Sequence, residues 1–192
     1  MMVQLLSLGV LAAFSSLLFF PLNGRKGQLK KAALPYEYIP FIPAFIVPYL
    51  GFFPYVAFSM LAVLFFTPVA ARMYVSLIFS GLIAALIWYF MPSRIERPDL
   101  TSRGIFTRAV KWMYQLDPQG NALPSAHASV AVLCSYYLAY AFPLHETMIW
   151  AAGATIVSST LFVKQHHVSD LIAGIVLAFV SIAFSYLILG GI

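Results

Sequence analysis

The sequence predicts an all-α fold, a polytopic membrane helix bundle, and three observations support this fold class. Hydrophobic residues make up 62% of the 192 residues, and charged residues make up only 9%. The mean hydropathy is +0.90. A soluble domain has about 25% charged residues, so this composition cannot cover a water-facing surface. Because a chain of this length commonly forms one domain, we expect a single membrane-embedded domain over residues 1–192.

Apolar runs of about 20 residues, the length that crosses a bilayer, recur along the chain. About six transmembrane helices are predicted, over residues 3–22, 47–68, 73–91, 125–142, 146–163 and 169–189. The prolines in segment 36–54 argue against one regular helix, so this segment is predicted to be interfacial or broken. Six crossings place both termini on one side. They place the polar segments together on the other side: 23–46, 92–124 and 164–170.

Two histidines are predicted to lie at one membrane depth. His127 opens the predicted fourth helix, and His166 closes the fifth, 39 residues later. This separation is about two crossings of 20 residues each. The arginine-rich loop 94–111 is predicted to lie on the same face. Because ionisable groups at membrane depth are functional candidates, we predict an active site at this membrane face.

The residues around these histidines suit a phosphate group. Ser125 is placed to cap the fourth helix, whose first N–H groups and positive dipole end attract an anion. Asp170 follows His166 by four residues. On a helix this spacing puts the carboxylate and the imidazole on one face, where the carboxylate can fix the tautomer. The alternative for His127, His166 and Asp170 is a purely structural role in hydrogen bonds.

These residues, taken together, resemble the type 2 phosphatidic acid phosphatase superfamily, which also includes vanadium haloperoxidases and sphingolipid phosphotransferases. Its three motifs are K-x6-R-P, P-S-G-H and S-R-x5-H-x3-D. The segments of this chain that are similar to them are Arg97-Pro98, Pro124-Ser125-Ala126-His127, and Ser159 with His166 and Asp170. The similarity covers about residues 70–190, which are the predicted catalytic core.

The chain departs from these motifs at two cationic positions. Phe90 stands where the first motif has lysine, and Thr160 stands where the third has arginine. Lys164, four residues after Thr160 and so on nearly the same helical face, is predicted to replace the arginine. Arg94, placed one turn before Arg97, is predicted to replace the lysine. The alternative for Arg94, Arg97 and Lys164 is contact with lipid headgroups.

The resemblance implies an integral membrane lipid-phosphate phosphatase, which hydrolyses a phosphomonoester or diphosphate of a lipid through a phosphohistidine. In this mechanism His166 attacks phosphorus, Asp170 orients its ring, and His127 is the general acid and base. The groups that hold the phosphoryl oxygens are Arg97, Lys164, Arg94 and the N–H groups near Ser125. We expect a metal-independent enzyme without a cofactor, because the sequence offers no carboxylate cluster for Mg²⁺.

Two other functions stay open at this point. The run 160–167 is similar to inositol phosphorylceramide synthases, so a lipid phosphotransferase that moves a phospho-headgroup to an alcohol is the first alternative. A non-enzymatic anion channel or transporter is the second. The expected partners are a membrane lipid phosphate and the bilayer. Nucleic acid is not expected, because the basic residues lie between apolar runs, where they face headgroups. No obligatory protein partner is indicated.

Two arguments disagree on which side of the membrane the site lies. Of the 11 Lys and Arg residues, only Arg72 falls on the predicted side of the termini. The positive-inside rule therefore favours a cytoplasmic site. The resemblance favours the opposite side, since the family usually faces the periplasm, lumen or exterior. We predict a plasma-membrane protein with its active site on the outer face.

Overall fold

The computed structural model describes residues 2–23, 28–29, 38–117 and 120–190, and helices dominate this part of the chain. Two short strands, β1 (Gln28–Leu29) and β2 (Ser93–Arg94), pair in parallel. The predicted all-α fold class is confirmed. In chain order the helices are α1 (Met2–Leu17), α2 (Phe19–Asn23), α3 (Ile46–Leu50), α4 (Phe52–Val63), α5 (Thr67–Phe90), α6 (Ile105–Leu116), α7 (Ala126–Ala141), α8 (Glu146–Phe162) and α9 (Val168–Leu189).

Helix α7 lies at the centre of the bundle. It packs against α4, α5, α8 and α9, while α5 also packs against α1 and α9. The main core cluster joins these helices through fully buried side chains such as Met73 and Leu133. The outer surface is apolar as well, with exposed side chains that include Phe65, Leu144 and Leu187. Apolar side chains on both the inside and the outside are typical of a bundle surrounded by lipid.

The number of candidate membrane spans is smaller than predicted. Within the described residues, four helical stretches are long and apolar enough to cross a membrane: Met2–Asn23, Pro43–Val63, Pro68–Phe90 and Val168–Leu189. The prediction of about six is therefore wrong by this criterion. Helices α7 and α8 have 16 and 17 residues. At 1.5 Å per residue each is roughly 25 Å long, which is less than the roughly 30 Å of a hydrocarbon core. Four such stretches are compatible with a multi-pass membrane protein.

The proline-rich segment 36–54, which the sequence predicted to be interfacial or broken, is interrupted at Gly51 but belongs from Pro43 onwards to a helical stretch long enough to cross a membrane. A 3-10 turn at Pro43–Phe45 leads into α3, and Gly51 separates α3 from α4. Gly51 keeps helical dihedral angles, with φ −59° and ψ −16°. The two short helices therefore continue in nearly one direction, and residues three apart across Gly51 share a face.

Helix α6 lies inside the long polar segment 92–124 and covers the site end of the bundle. It packs against the Pro43–Phe45 turn and α3. The Tyr114 hydroxyl donates to the backbone carbonyl oxygen of Val163 at 2.7 Å. Segment 38–46 lies at this end too, because the Ile42 N–H donates to the carbonyl oxygen of Phe162 at 3.0 Å. Residues 24–27 and 30–37 of the predicted polar segment 23–46 lie outside the described residues.

Candidate active site

His166 lies in the connection between α8 and α9. Because α9 begins only at Val168, His166 and Asp170 do not share a helix, and the helical spacing from which their pairing was predicted is wrong. The two side chains are nevertheless close, with Nδ1 of His166 3.8 Å from Oδ2 of Asp170. A tight turn produces this proximity, since the N–H groups of Gln165 and His166 both donate to the Thr160 carbonyl oxygen, at 2.8 and 3.3 Å.

A backbone carbonyl orients the His166 ring. Its Nδ1 lies 3.0 Å from the carbonyl oxygen of Ala122. Because a carbonyl oxygen only accepts, this contact requires the proton on Nδ1, and the neutral ring then has its lone pair on Nε2. Ser93 on β2 holds this loop, since Leu123 N–H donates to the Ser93 hydroxyl at 3.0 Å. Sequence reasoning missed this acceptor, because no residue type marks a backbone carbonyl.

Asp170 has a second role at the start of α9. Its Oδ2 accepts the backbone N–H of His167 at 2.9 Å. The N–H of Asp170 donates in return to the His167 carbonyl oxygen at 3.0 Å, so the two residues are joined at the N-cap of α9. Asp170 is fully buried. The carboxylate beside His166 is therefore held rigidly, and His167 has a structural role that does not require chemistry.

Ser125 caps α7, as the sequence predicted. Its hydroxyl accepts the N–H of Ala128 at 3.3 Å, and its own N–H donates to the Asp170 carbonyl oxygen at 3.0 Å. This contact joins the starts of α7 and α9. It brings His127, in the first turn of α7, close to His166, with ring centroids 6.1 Å apart. The structure thus brings together the two histidines that the sequence predicted at one depth.

Two aromatic rings from α3 and α4 enclose His127. The Tyr49 ring stacks on it at 4.6 Å between centroids and 25° between planes, and the Phe52 ring lies 4.3 Å away at 40°. The Nε2 atom of His127 is buried and has no hydrogen-bond partner among the described residues. Sequence reasoning missed both aromatic residues. Their three-residue spacing was the available signal, but the prolines around them argued against a helix.

Arg97 is embedded in contacts with other protein groups. Its Nη1 donates to the carbonyl oxygens of Tyr114 and Asp117, at 3.3 and 2.7 Å. Its Nη2 donates to Oδ2 of Asp117 at 3.0 Å and to Oε1 of Gln165 at 2.6 Å. Asp117 also accepts the Asn23 side-chain amide at 2.6 Å. Gln165, the residue before His166, connects Arg97 to the site. Sequence reasoning missed Asp117 and Gln165.

The two predicted replacement cations do not lie where helical spacing placed them. Lys164 follows the end of α8 with a φ of 58°, and its Nζ donates to the carbonyl oxygen of Ile39. Burial lowers the pKa of Lys164. Arg94 lies on β2 rather than one helical turn before Arg97, and its Nε is buried without a hydrogen-bond partner in the described ranges. Phosphate binding by Lys164 or Arg94 stays a prediction.

The comparisons with known proteins agree with the resemblance seen in the motifs. A family model described as the PAP2 superfamily matches residues 70–191, which is more than half of the chain. No curated protein and no solved structure matches the chain. The match includes both histidines of the site and Asp170, whereas Tyr49 and Phe52 precede it. It favours phosphatase or related phosphotransferase activity on a lipid-like substrate.

Proposed function

Because the chain belongs to the PAP2 superfamily, we propose that it is an integral membrane lipid-phosphate phosphatase. It hydrolyses a phosphomonoester or diphosphate of a lipid through a phosphohistidine intermediate. The observation that carries this proposal is the pair of rings 6.1 Å apart, one of which has its Nδ1 directed to the Ala122 carbonyl. In this proposal His166, in the α8–α9 connection, is the nucleophile, and His127, in the first turn of α7, is the separate proton donor.

The first step is attack by Nε2 of His166 on phosphorus. The Ala122 carbonyl favours the tautomer with a lone pair on Nε2. The N–P bond forms while the bond from phosphorus to the lipid oxygen breaks. The imidazolium that results is stabilised by the Asp170 carboxylate, 3.8 Å from Nδ1.

His127 handles the proton in both steps. For this role the ring must be protonated when the anionic substrate is bound; it gives that proton to the leaving lipid oxygen, and the neutral ring then accepts one from the attacking water. Water forms the new P–O bond, the N–P bond breaks, and inorganic phosphate leaves. The unpartnered Nε2 of His127 supports the role.

Charge stabilisation of the phosphoryl group has four candidate sources in this proposal. The first N–H groups of α7, near Ser125, supply a partial positive charge at the helix start. Arg97 reaches the site beside Gln165. Lys164 is buried in the connection that carries His166, and Arg94 on β2 is the fourth candidate. Substrate binding by Arg97 or Lys164 requires exchange of their present protein acceptors, Asp117 and the Ile39 carbonyl.

A lipid phosphotransferase that uses the same phosphohistidine is the second candidate. The observation that favours it is the modest free positive charge around His166. Phe90 and Thr160 stand at two positions where the family has cations, and Arg97 already pairs with Asp117. A phosphodiester with one negative charge needs fewer cations than a phosphomonoester with two. An alcohol in place of water would then accept the phosphoryl headgroup.

The test is phosphate release by purified protein in lipid–detergent micelles. The substrates are a lipid phosphomonoester, a lipid diphosphate and a phosphodiester lipid, each with and without added inositol. Release of inorganic phosphate that His166→Ala abolishes supports the phosphatase. A phospho-alcohol product without phosphate release supports the transferase. Failure of every substrate to react contradicts both and favours the anion channel or transporter.

The metal-independent mechanism has its own test. Activity should survive EDTA, because the reacting groups are imidazoles and a carboxylate. Orthovanadate should inhibit, since it can adopt the five-coordinate geometry of the transferring phosphorus next to His166. Complete loss of activity in EDTA that Mg²⁺ or Zn²⁺ restores would contradict the proposed chemistry.

A further inference from the structure

We propose that Tyr49 and Phe52 form an aromatic clamp that positions the His127 ring for proton transfer, an inference that rests on the proposed function. Both residues precede the region that the family model matches, residues 70–191. The clamp is therefore an addition from the N-terminal part of this chain to the shared catalytic core.

The geometry of the clamp comes from the broken helix before the core. Tyr49 is near the end of α3, and Phe52 opens α4, with Gly51 between them in helical conformation. A three-residue spacing on a helical path puts both side chains on one face. That face meets the start of α7, where the two rings contact His127 at 4.6 and 4.3 Å between centroids.

The two histidines of the site are oriented by different kinds of contact. A catalytic imidazole is commonly oriented by a hydrogen bond at the nitrogen that does not react. His166 has that bond through Ala122. For His127 the prominent contacts are instead the two aromatic faces, and its Nε2 has no hydrogen-bond partner in the described part of the chain. Ring stacking restricts the tilt of the imidazole without using its nitrogens as hydrogen-bonding groups.

Each half of the clamp is anchored in a different packing cluster. Tyr49 is buried beside Ile46, Val110 and Val163 under α6. Phe52 packs instead against the cluster of α7, α8 and α9 that contains Ala128. Because the two rings are held from both sides, the plane of His127 is defined by the packing of the whole site end. A small displacement of the His127 ring from this plane should lower the rate of phosphoryl transfer, since misplacement of a catalytic group by about 1 Å can reduce a rate by about 10²-fold.

The kinetic test distinguishes a contribution of the Tyr49 ring from a contribution of its hydroxyl group. Tyr49→Phe keeps the stacked ring and should keep most of kcat, whereas Tyr49→Leu and Phe52→Leu should each lower kcat by about 10- to 100-fold with little change in KM. Phe58→Leu is the matched control, because Phe58 is an exposed aromatic residue on α4. Equal losses in Tyr49→Phe and Tyr49→Leu would overturn the clamp in favour of a role for the hydroxyl.

A double-mutant cycle tests whether the clamp acts through His127. If it does, Tyr49→Leu should add no further loss to His127→Ala, because the ring that it positions is already absent. A general structural defect should instead lower the residual activity again. Independent, multiplicative effects of the two substitutions would overturn the proposal.

A magnetic resonance measurement tests the clamp without requiring activity. In protein with labelled histidine, the ring protons of His127 should be shifted upfield by the two aromatic faces, with His127→Ala giving the assignment. Tyr49→Phe should preserve this shift and Tyr49→Leu should reduce it. An unshifted His127 signal in the unmodified protein contradicts the clamp. A shifted signal in a protein without phosphoryl transfer contradicts the proposed function and leaves the clamp standing.

Discussion

The helix bundle buries an arginine at each end, Arg97 beside the histidines and Arg72 at the opposite end. Both guanidinium groups donate to backbone carbonyl oxygens and lie against a tyrosine ring. For Arg72 the acceptors are Pro68 and Gly190, at 3.2 and 2.8 Å, and the ring is that of Tyr186. These contacts join the start of α5 to the end of α9, so Arg72 has a structural role at this end of the bundle.

The partners of Arg97 include two polar side chains in addition to carbonyls. Asp117 gives it a carboxylate at 3.0 Å, and Gln165 gives it an amide oxygen at 2.6 Å. Gln165 is adjacent to His166, so Arg97 is coupled to the residue that we propose as the nucleophile. The comparison shows that burial of an arginine does not by itself mark a site in this bundle. The distinguishing feature is a side-chain connection to a reactive group.

The largest effect is expected at the site end, from loss of the nucleophile. His166→Ala should reduce phosphoryl transfer to background, a loss of at least about 10⁴-fold, without preventing membrane insertion. His167→Ala is the matched control, because His167 caps α9. It should lower stability by about 1 kcal/mol and keep most of the activity. If His167→Ala were inactive and His166→Ala active, the assignment of the nucleophile would be wrong.

The two arginines should respond differently to the same substitution. Arg97→Ala should lower kcat/KM by about 10²- to 10³-fold, the range for loss of one group that stabilises developing charge. Arg72→Ala should leave kcat/KM nearly unchanged while lowering the melting temperature, because its carbonyl acceptors lose charged hydrogen-bond donors. Both quantities should be measured on the same purified preparations. Equal losses of activity for the two variants would remove the functional distinction between the bundle ends.

Lys164 should have an intermediate effect. Lys164→Met keeps the length and much of the packing but removes the ammonium group, and a charged hydrogen bond contributes about 1.5–3 kcal/mol. We therefore expect a loss in kcat/KM of roughly 10- to 100-fold. Lys111→Met on α6 is the control for loss of a cation at this end. If Lys164→Met turned over substrate nearly as fast as the unmodified protein, Lys164 would have only a structural role. That role would be to hold the α8–α9 connection against the backbone at Ile39.

The residues of the site that the sequence predicted are those marked by residue type and motif. The structure brings His127, His166 and Asp170 together, but His166 pairs with Asp170 through the turn after α8 and not through the shared helix from which the pairing was predicted. Ser125 was predicted as a cap from its place before an apolar run, and its hydroxyl accepts the Ala128 N–H. The cap is a signal that short-range chain geometry controls.

The errors in the predicted positions come from residues that lie in connecting segments but were predicted to lie on helices. Lys164 was placed on the face of Thr160 by helical rotation, but α8 ends before it and its φ is 58°. Arg94 was placed one turn before Arg97, but it lies on β2. Helix α8 ends in a local turn, in which the N–H groups of Lys164 and Gln165 donate to the carbonyl oxygens of Leu161 and Thr160. Lysine stands at the left-handed position where glycine usually marks such an end, so the residue type did not indicate it. The number of membrane spans was overestimated for a related reason, since helices α7 and α8 are each shorter than the apolar runs suggested.

The partners that were missed lie far away in sequence. Asp117 meets Arg97 across 20 residues, and Gln165 meets it across 68. Ala122 contributes only a carbonyl oxygen. Tyr49 and Phe52 meet His127 from a segment whose prolines discouraged a helical interpretation. Predicting such contacts requires the packing of α3, α6 and α7, which a single sequence does not contain.

The smallest effect on activity is expected from a methyl group that only changes a helix contact. A Cβ at Gly174 on α9 would lie 2.5 Å from the carbonyl oxygen of Ser125, a backbone atom of the α7 cap. Gly174→Ala should therefore push apart the starts of α7 and α9, lowering stability by about 1–3 kcal/mol. Because His127 follows Ser125 by two residues, turnover should also fall, by on the order of 10-fold or less.

Gly81→Ala is the matched substitution away from the histidines. A Cβ there would lie 2.7 Å from the Ser15 hydroxyl oxygen, on α1, so it should also lower stability. Helix α1 is not part of the site, and kcat should therefore not change. Thermal unfolding in detergent and kcat at a temperature well below both transitions separate the two quantities. If Gly81→Ala lowered kcat as much as Gly174→Ala, the loss would reflect general loosening of the bundle, and the contact between α9 and Ser125 would have no special part in positioning His127.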